Sequence, residues 1–100
     1  MPISPSPSLH TLTNGVRIVA LPTAALATST VAVFIRSGSA HEPKLINGIS
    51  HVVEHMLFKG TATRSAEDIA QAIDSIGGQL DAFTAKEYAR YYIKVLDEHL

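Results

Sequence analysis

Hydrophobic and polar positions change period several times along the chain, and each change marks an element. Residues 9–13 and 16–21 flank Asn14-Gly15, the strongest short signal for a β-hairpin, because both turn positions then take positive φ. In the second arm Val16, Ile18 and Ala20 alternate with Arg17 and Val19, as on a half-buried strand. Residues 22–29 form a Thr/Ala-rich connection without a period. Residues 30–36 are β-branched and apolar on both faces, which predicts a central strand covered on both sides. Ser37-Gly38-Ser39 ends it, and a loop with Glu42-Pro43 leads to Asn47-Gly48.

From residue 46 to 59 the period becomes helical. At about 100° per residue, Ile46, Ile49, Val52, Val53, Met56 and Leu57 fall on one side, and His51, Glu54, His55 and Phe58 on the other. Asn47 fits an N-cap and Gly60 a C′ residue. Ser65-Ala66-Glu67-Asp68 reads as a capping box with Asp in the place usual for Glu or Gln. It opens a second helix along Ala66, Ile69, Ala70, Ile73 and Ile76, which Gly77-Gly78 stops. Residues 80–84 and 88–96 predict two strands joined by Ala85-Lys86-Glu87, and residues 97–100 resemble the first turn of a helix. The fold class is therefore α+β, with a mixed, mainly antiparallel sheet and helices packed on one face. The Ser/Pro alternation of residues 1–8 predicts a flexible tail, leaving residues 9–100 as the folded part.

Composition narrows the field by exclusion. The chain has 100 residues, 46% hydrophobic and 17% charged, the size and balance of one small folded domain. A net charge of −1 gives no footprint for nucleic acid or an anionic membrane surface. No cysteine is present, so a bound metal is held by imidazole, carboxylate, carbonyl or water. The apolar region from residue 16 to 35 is broken by Arg17 and Pro22, so no membrane span is expected. The first residues lack the basic and apolar regions of a signal peptide and the arginines of a transit peptide, and a bacterial-type cytoplasmic location is expected.

The chemistry sits on the first helix. His51 and His55 are one turn apart on one face, so both can reach a single tetrahedral ion, with Glu54 beside it as a base for water. A zinc hydrolase needs three protein ligands and an open position. His10, His41 and His99 have no spacing tie to the helix and read as ordinary surface histidines. Asp81 and Glu87 are outer candidates. Residue types alone also fit a plain solvated helix face. The intact apolar back and the presence of Phe58 among the front positions weigh against that.

His51-x-x-Glu54-His55 has the inverted zinc-peptidase order. Its flanks, Gly48-Ile49-Ser50 and residues 56–61 (Met-Leu-Phe-Lys-Gly-Thr), together with residues 77–87 and Tyr91-Tyr92, resemble the inverzincin family of pitrilysin, insulysin and the mitochondrial processing peptidase. The resemblance runs from about Leu9 to Leu100. It implies a zinc-dependent metalloendopeptidase in which His51 and His55 bind one Zn2+ and Glu54 activates the zinc-bound water as general base and acid. It implies that a peptide substrate adds as a strand along residues 81–84, with Phe58, Ala82 and Phe83 forming the side-chain pocket. Asp81 stands where the family usually has a backbone-contacting Asn, and an ionised Asp accepts but does not donate a hydrogen bond. Glu87 would stand in the shell behind the ligands. The family's third zinc ligand, a glutamate on a later helix, is expected outside these residues, so the chain reads as the N-terminal part of a longer peptidase. Partners would be the remainder of the peptidase or a second family subunit. The alternative is a non-catalytic partner subunit of the same family.

Overall fold

A computed structural model describes residues 6–100. Most of the expected tail, residues 1–5, lies outside the described residues, and Ser8 already belongs to a strand. β1 (Ser8–Thr11) pairs antiparallel with β2 (Arg17–Ala20) as a two-stranded ribbon. The turn falls where Asn14-Gly15 places it but is built differently from the expected two-residue form. Thr13-Asn14-Gly15 makes a three-residue loop, closed by Gly15 N–H to the Leu12 carbonyl at 2.9 Å and Leu12 N–H to the Val16 carbonyl at 2.8 Å. Only Gly15 takes positive φ, at 89°. Asn14 contributes through its side chain, whose Oδ1 accepts from Val16 N–H at 3.1 Å. The asparagine thus works as a hydrogen-bonding turn residue and not as a left-handed one.

The main sheet has three strands in the order β3 (Thr28–Ile35), β5 (Ala89–Leu96), β4 (Gln79–Thr84). Every pairing is antiparallel among the described residues. β5, not β3, is the central strand, and among the described residues it alone supplies buried apolar side chains, Ala89 and Val95 at 5% and 6% exposure. β3 lies at an edge with Phe34 64% exposed. Its two-sided apolar pattern reports surface that asks for cover, and none of the other described residues supplies it.

The register sorts the sheet into two faces, because directly opposed residues point the same way. Val31, Val33 and Ile35 share one face with Ala89, Tyr91, Ile93 and Val95 and with Leu80, Ala82 and Thr84. The other face carries Arg90, Tyr92 and Lys94 beside Asp81 and Phe83. There the Arg90 guanidinium lies 4.8 Å from the Tyr92 ring centre and 6.0 Å from that of Phe83, within cation–π range.

Both helices, α1 (Ile49–Met56) and α2 (Ala66–Ser75), lie against β4. The capping box at α2 forms as expected: Ser65 Oγ accepts from Asp68 N–H at 3.1 Å and Ser65 N–H donates to Asp68 Oδ2 at 2.8 Å. Ile69, Ile73 and Ile76 on its inner side are half-buried. α1 is shorter than the helical period suggests. Residues Lys44–Ile46 form a separate 3-10 turn, and Gly48, not Asn47, is the N-cap, at φ 93°. Past Met56 the chain tightens, with Phe58 N–H bonded to the His55 carbonyl at 3.3 Å and Lys59 N–H to the Met56 carbonyl at 3.1 Å. Gly60 does not end the helix as a C′ residue; at φ 121° it bridges to Ser65 and shapes the turn into α2. Residues Asp97–His99 close the chain as a 3-10 turn.

The radius of gyration is 16.4 Å, against about 13 Å for a compact domain of this length. The apolar side of α1 is part of the reason. Val52 and Met56 are 55% and 59% exposed, while Ser50, Glu54 and Phe58 are half-buried. α1 turns its polar side toward the sheet and its apolar side outward.

Candidate metal and base site on the first helix

An α-helix begins with unpaired N–H groups, and Gly48 has no side chain with which to cap α1. Glu42 takes over from six residues upstream. Its Oε2 accepts from Gly48 N–H at 2.6 Å and its Oε1 from Ser50 N–H at 2.9 Å. The backbone bond from Gly48, then those from the Ser50 backbone and hydroxyl, hold the Glu42 carboxyl below its ordinary pKa. The first turn is thereby held from the N-cap Gly48 to Ser50, the residue before the first histidine.

His51 and His55 meet as the spacing predicts. Their Nε2 atoms are 2.8 Å apart and their ring centres 4.6 Å. Two facing imidazole nitrogens at that distance require either a proton on one of them or a cation taking both lone pairs. On one tetrahedral zinc with bonds of about 2.0–2.1 Å, two nitrogens stand about 3.3–3.4 Å apart. A shift of about half an ångström, within the reach of small χ rotations, converts one arrangement into the other. The donor atoms of His51, Glu54 and His55 all lie within 4.8 Å of one another. The residues present fit a zinc ion, with two imidazoles as ligands and a carboxylate at hand.

Glu54 is not idle. Thr84 Oγ1, at the end of β4, donates a short hydrogen bond to Glu54 Oε2. This ties the carboxylate to the sheet across thirty residues of sequence, while Oε1 takes no hydrogen bond from the other described residues. Nothing in the helical period points to Thr84. The strand alternation does place it on the same face as Ala82, which is the signal that could have found it.

The remaining expected site residues divide. Ala82 and Phe83 line a cavity of about 510 Å³ together with Glu42, His51, Glu54 and Thr84. Phe58 and Asp81 instead line a second cavity of about 590 Å³, with Ile69, Ile73, Leu80 and Tyr92. The side-chain pocket expected from Phe58, Ala82 and Phe83 is therefore not one cavity in this chain. Asp81 Oδ1 accepts from Ala82 N–H at 2.8 Å and its Oδ2 from the Tyr92 hydroxyl at 3.4 Å. Glu87 is exposed in the β4–β5 turn and lines neither cavity. His41 is spent locally, its Nδ1 accepting from Gly38 N–H at 3.2 Å. Among the described residues β4 pairs only with β5, which leaves its outer edge, beside α1, without a strand partner. Among the described residues no helix is long and apolar enough to cross a membrane.

Comparison with known proteins places these features in a family. The family described as insulinase (peptidase family M16) matches residues 17–100. An uncharacterized zinc protease of Bacillus subtilis is 56% identical over 90 residues, 90% of this chain and 22% of that protein. The mitochondrial-processing peptidase subunit beta of Dictyostelium discoideum is 42% identical over 99 residues, covering 98% of this chain and 21% of that one. Among solved structures, a protease from Helicobacter pylori superposes with a TM-score of 0.87 at 30% identity, over 97% of this chain and 24% of that one. The chain spans about a fifth to a quarter of the length of the relatives it matches.

Proposed function

Since the chain belongs to the insulinase family (peptidase family M16), we propose that it is the N-terminal, base-carrying part of a longer zinc metalloendopeptidase. The observation that carries this is the meeting of His51 and His55 Nε2 at 2.8 Å, with Glu54 anchored beside the open edge of β4. His51 and His55 would hold one zinc, with a third ligand from elsewhere in the longer protein. When bound, zinc supplies Lewis acidity and lowers the pKa of water toward neutrality.

The rest of the chemistry belongs to the chain. Glu54 accepts a proton from the attacking water as the new C–O bond forms. It returns a proton to the amine nitrogen as the C–N bond breaks, so it ends as it began. The Thr84 hydroxyl occupies Oε2 and aims Oε1 at the water. An extended peptide adds to the open edge of β4 through main-chain hydrogen bonds, which brings its backbone under α1. Ala82 and Phe83 flank the substrate side chain near the scissile bond, whereas Phe58 and Asp81 would meet it further along the strand. Asp81 accepts from substrate N–H groups, and Glu87 would approach the histidines only after a rearrangement of the β4–β5 turn.

The uncovered apolar side of α1 and the exposed β3 support a partner surface, covered by the rest of the peptidase or by a second family subunit. A non-catalytic subunit is disfavoured by the joint presence of His51, Glu54 and His55. A cytoplasmic location belongs to the same proposal, and fractionation of cells producing the full-length protein decides it. The activity itself is tested with a quenched fluorescent peptide. The full-length protein is expected to cleave it, to stop on chelation and to recover with zinc, while the 100-residue chain alone binds zinc weakly and turns nothing over. Chelator-resistant cleavage, or robust turnover by the isolated chain, would overturn the reading.

A further inference from the structure

We propose that Glu42 is a positioning residue for the metal-binding helix: its carboxylate locks the start of α1 to the β4–β5 turn. The inference rests on the zinc-peptidase reading and names a residue to which that reading gives no part. Two observations carry it. The first is the bridge itself, from one carboxylate to Gly48 N–H at 2.6 Å and Ser50 N–H at 2.9 Å. A cap drawn from the neighbouring residue would satisfy the same donors, but it would connect the helix to nothing else.

The second observation is what stands behind Glu42. Immediately before it, the 3-10 turn Ser39–His41 is docked on the β4–β5 turn by Ser39 N–H to the Ala85 carbonyl at 3.0 Å and Ala40 N–H to the Lys86 carbonyl at 2.8 Å. Gly38 lets the two segments approach. A Cβ there would overlap the Ala85 oxygen and lie 2.7 Å from the Lys86 carbonyl carbon. A continuous path of hydrogen bonds thus runs from the end of β4, through Glu42, to the residue preceding His51. The Thr84–Glu54 bond is the second tie between the same strand and the same helix. With one tie α1 can pivot; with two, the histidines keep a set distance from the strand edge.

Glu42 borders the same cavity as His51 and Glu54, but both of its carboxylate oxygens are taken by Gly48 and Ser50 N–H groups, so its loss should misplace the helix without emptying the site. The test uses the full-length protein carrying Glu42→Gln, which keeps the side-chain length but sets an amide N–H2 against one of the two backbone donors. Zinc affinity, read by chelator competition, is expected to fall about 10-fold, the lower end for groups that orient metal ligands. The visible spectrum of the Co2+ form should change, and kcat should fall about 10-fold with KM altered less than about 2-fold. Lys44→Ala in the same loop should leave all four unchanged. Wild-type affinity, spectrum and kcat in Glu42→Gln would overturn the proposal. If Glu42→Gln does not accumulate folded, Glu42→Asp, shorter by one methylene, is read by the same criteria. Glu54→Gln, assayed in parallel, separates the two ideas. If Glu54→Gln remains active, the peptidase reading fails. If Glu54→Gln is inactive while Glu42→Gln is wild type, only the positioning role fails.

Discussion

α1 and α2 are both amphipathic, both lie against β4, and they face it with opposite sides. α2 follows the usual rule: Ile69, Ile73 and Ile76 are half-buried toward the sheet and its polar residues face solvent. α1 turns Ser50 and Glu54 inward and leaves Val52, Val53, Met56 and Leu57 outside. The difference teaches what each helix is for. α2 covers the sheet, whereas α1 delivers imidazoles and a carboxylate to a strand edge and must find cover for its apolar side elsewhere. Its hold on the sheet is correspondingly polar, through Thr84 on Glu54 and Glu42 on its first turn.

The sharpest way to break this comparison is on the polar side of α1. His55→Ala in the full-length protein should leave less than one zinc per chain by metal analysis and lower peptide hydrolysis at least about 10²-fold, with the fold unchanged by circular dichroism. Next comes the apolar side of α2: Ile73→Ala should cost about 2 kcal/mol in denaturant unfolding, at the low end for such truncations because the site is half-buried, without changing zinc stoichiometry. On α1 the same kind of change should depend on context. Met56→Ala should shift the isolated chain by less than about 0.5 kcal/mol but the full-length protein by about 2 kcal/mol, if the longer protein covers that side. Equal effects in the two forms would contradict the claim that α1 is covered from outside this chain.

Smaller effects distinguish the two helix starts. Ser65→Ala should cost about 1 kcal/mol through the lost cap of α2, and Gly48→Ala a similar about 1–2 kcal/mol through the left-handed backbone it forces on alanine. The smallest expected effect is on pH dependence. The Glu42 and Asp68 carboxyls are held below their ordinary values of 4.5 and 3.8, mainly by backbone bonds from Gly48 and Ser65. The unfolded chain therefore binds more protons in this range. Their stabilisation is present above those values and is lost as pH falls below them. Thermal melts from pH 6 to pH 3 should show a shallower acid loss in Asp68→Asn and in Glu42→Gln, each removing its own contribution.

Much of this was legible in the sequence where the interaction is local. The hairpin at Asn14-Gly15, the Ser65–Asp68 box, the two C-terminal strands and the His51–His55 pair all depend on residues a few positions apart. Periodicity also grouped the residues of α1 correctly by face. It does not say which face turns inward, because that is set by partners distant in sequence, here Thr84 and Glu42. For the same reason the pattern of β3 predicts a central strand where the structure has an edge, and Phe58, expected to share a pocket with Ala82 and Phe83, lines a different cavity. Asn47 lost the N-cap position to Gly48 because a carboxylate from outside the helix performs the capping.

Glu54, held by Thr84 beside His51 and His55, is the proposed base that activates water. That role is tested most directly by Glu54→Gln in the full-length protein, with zinc content and hydrolysis of an extended quenched peptide measured on the same sample. One zinc per chain should remain while hydrolysis falls by about 10²–10⁴-fold. Hydrolysis at the wild-type rate with zinc in place would contradict the account.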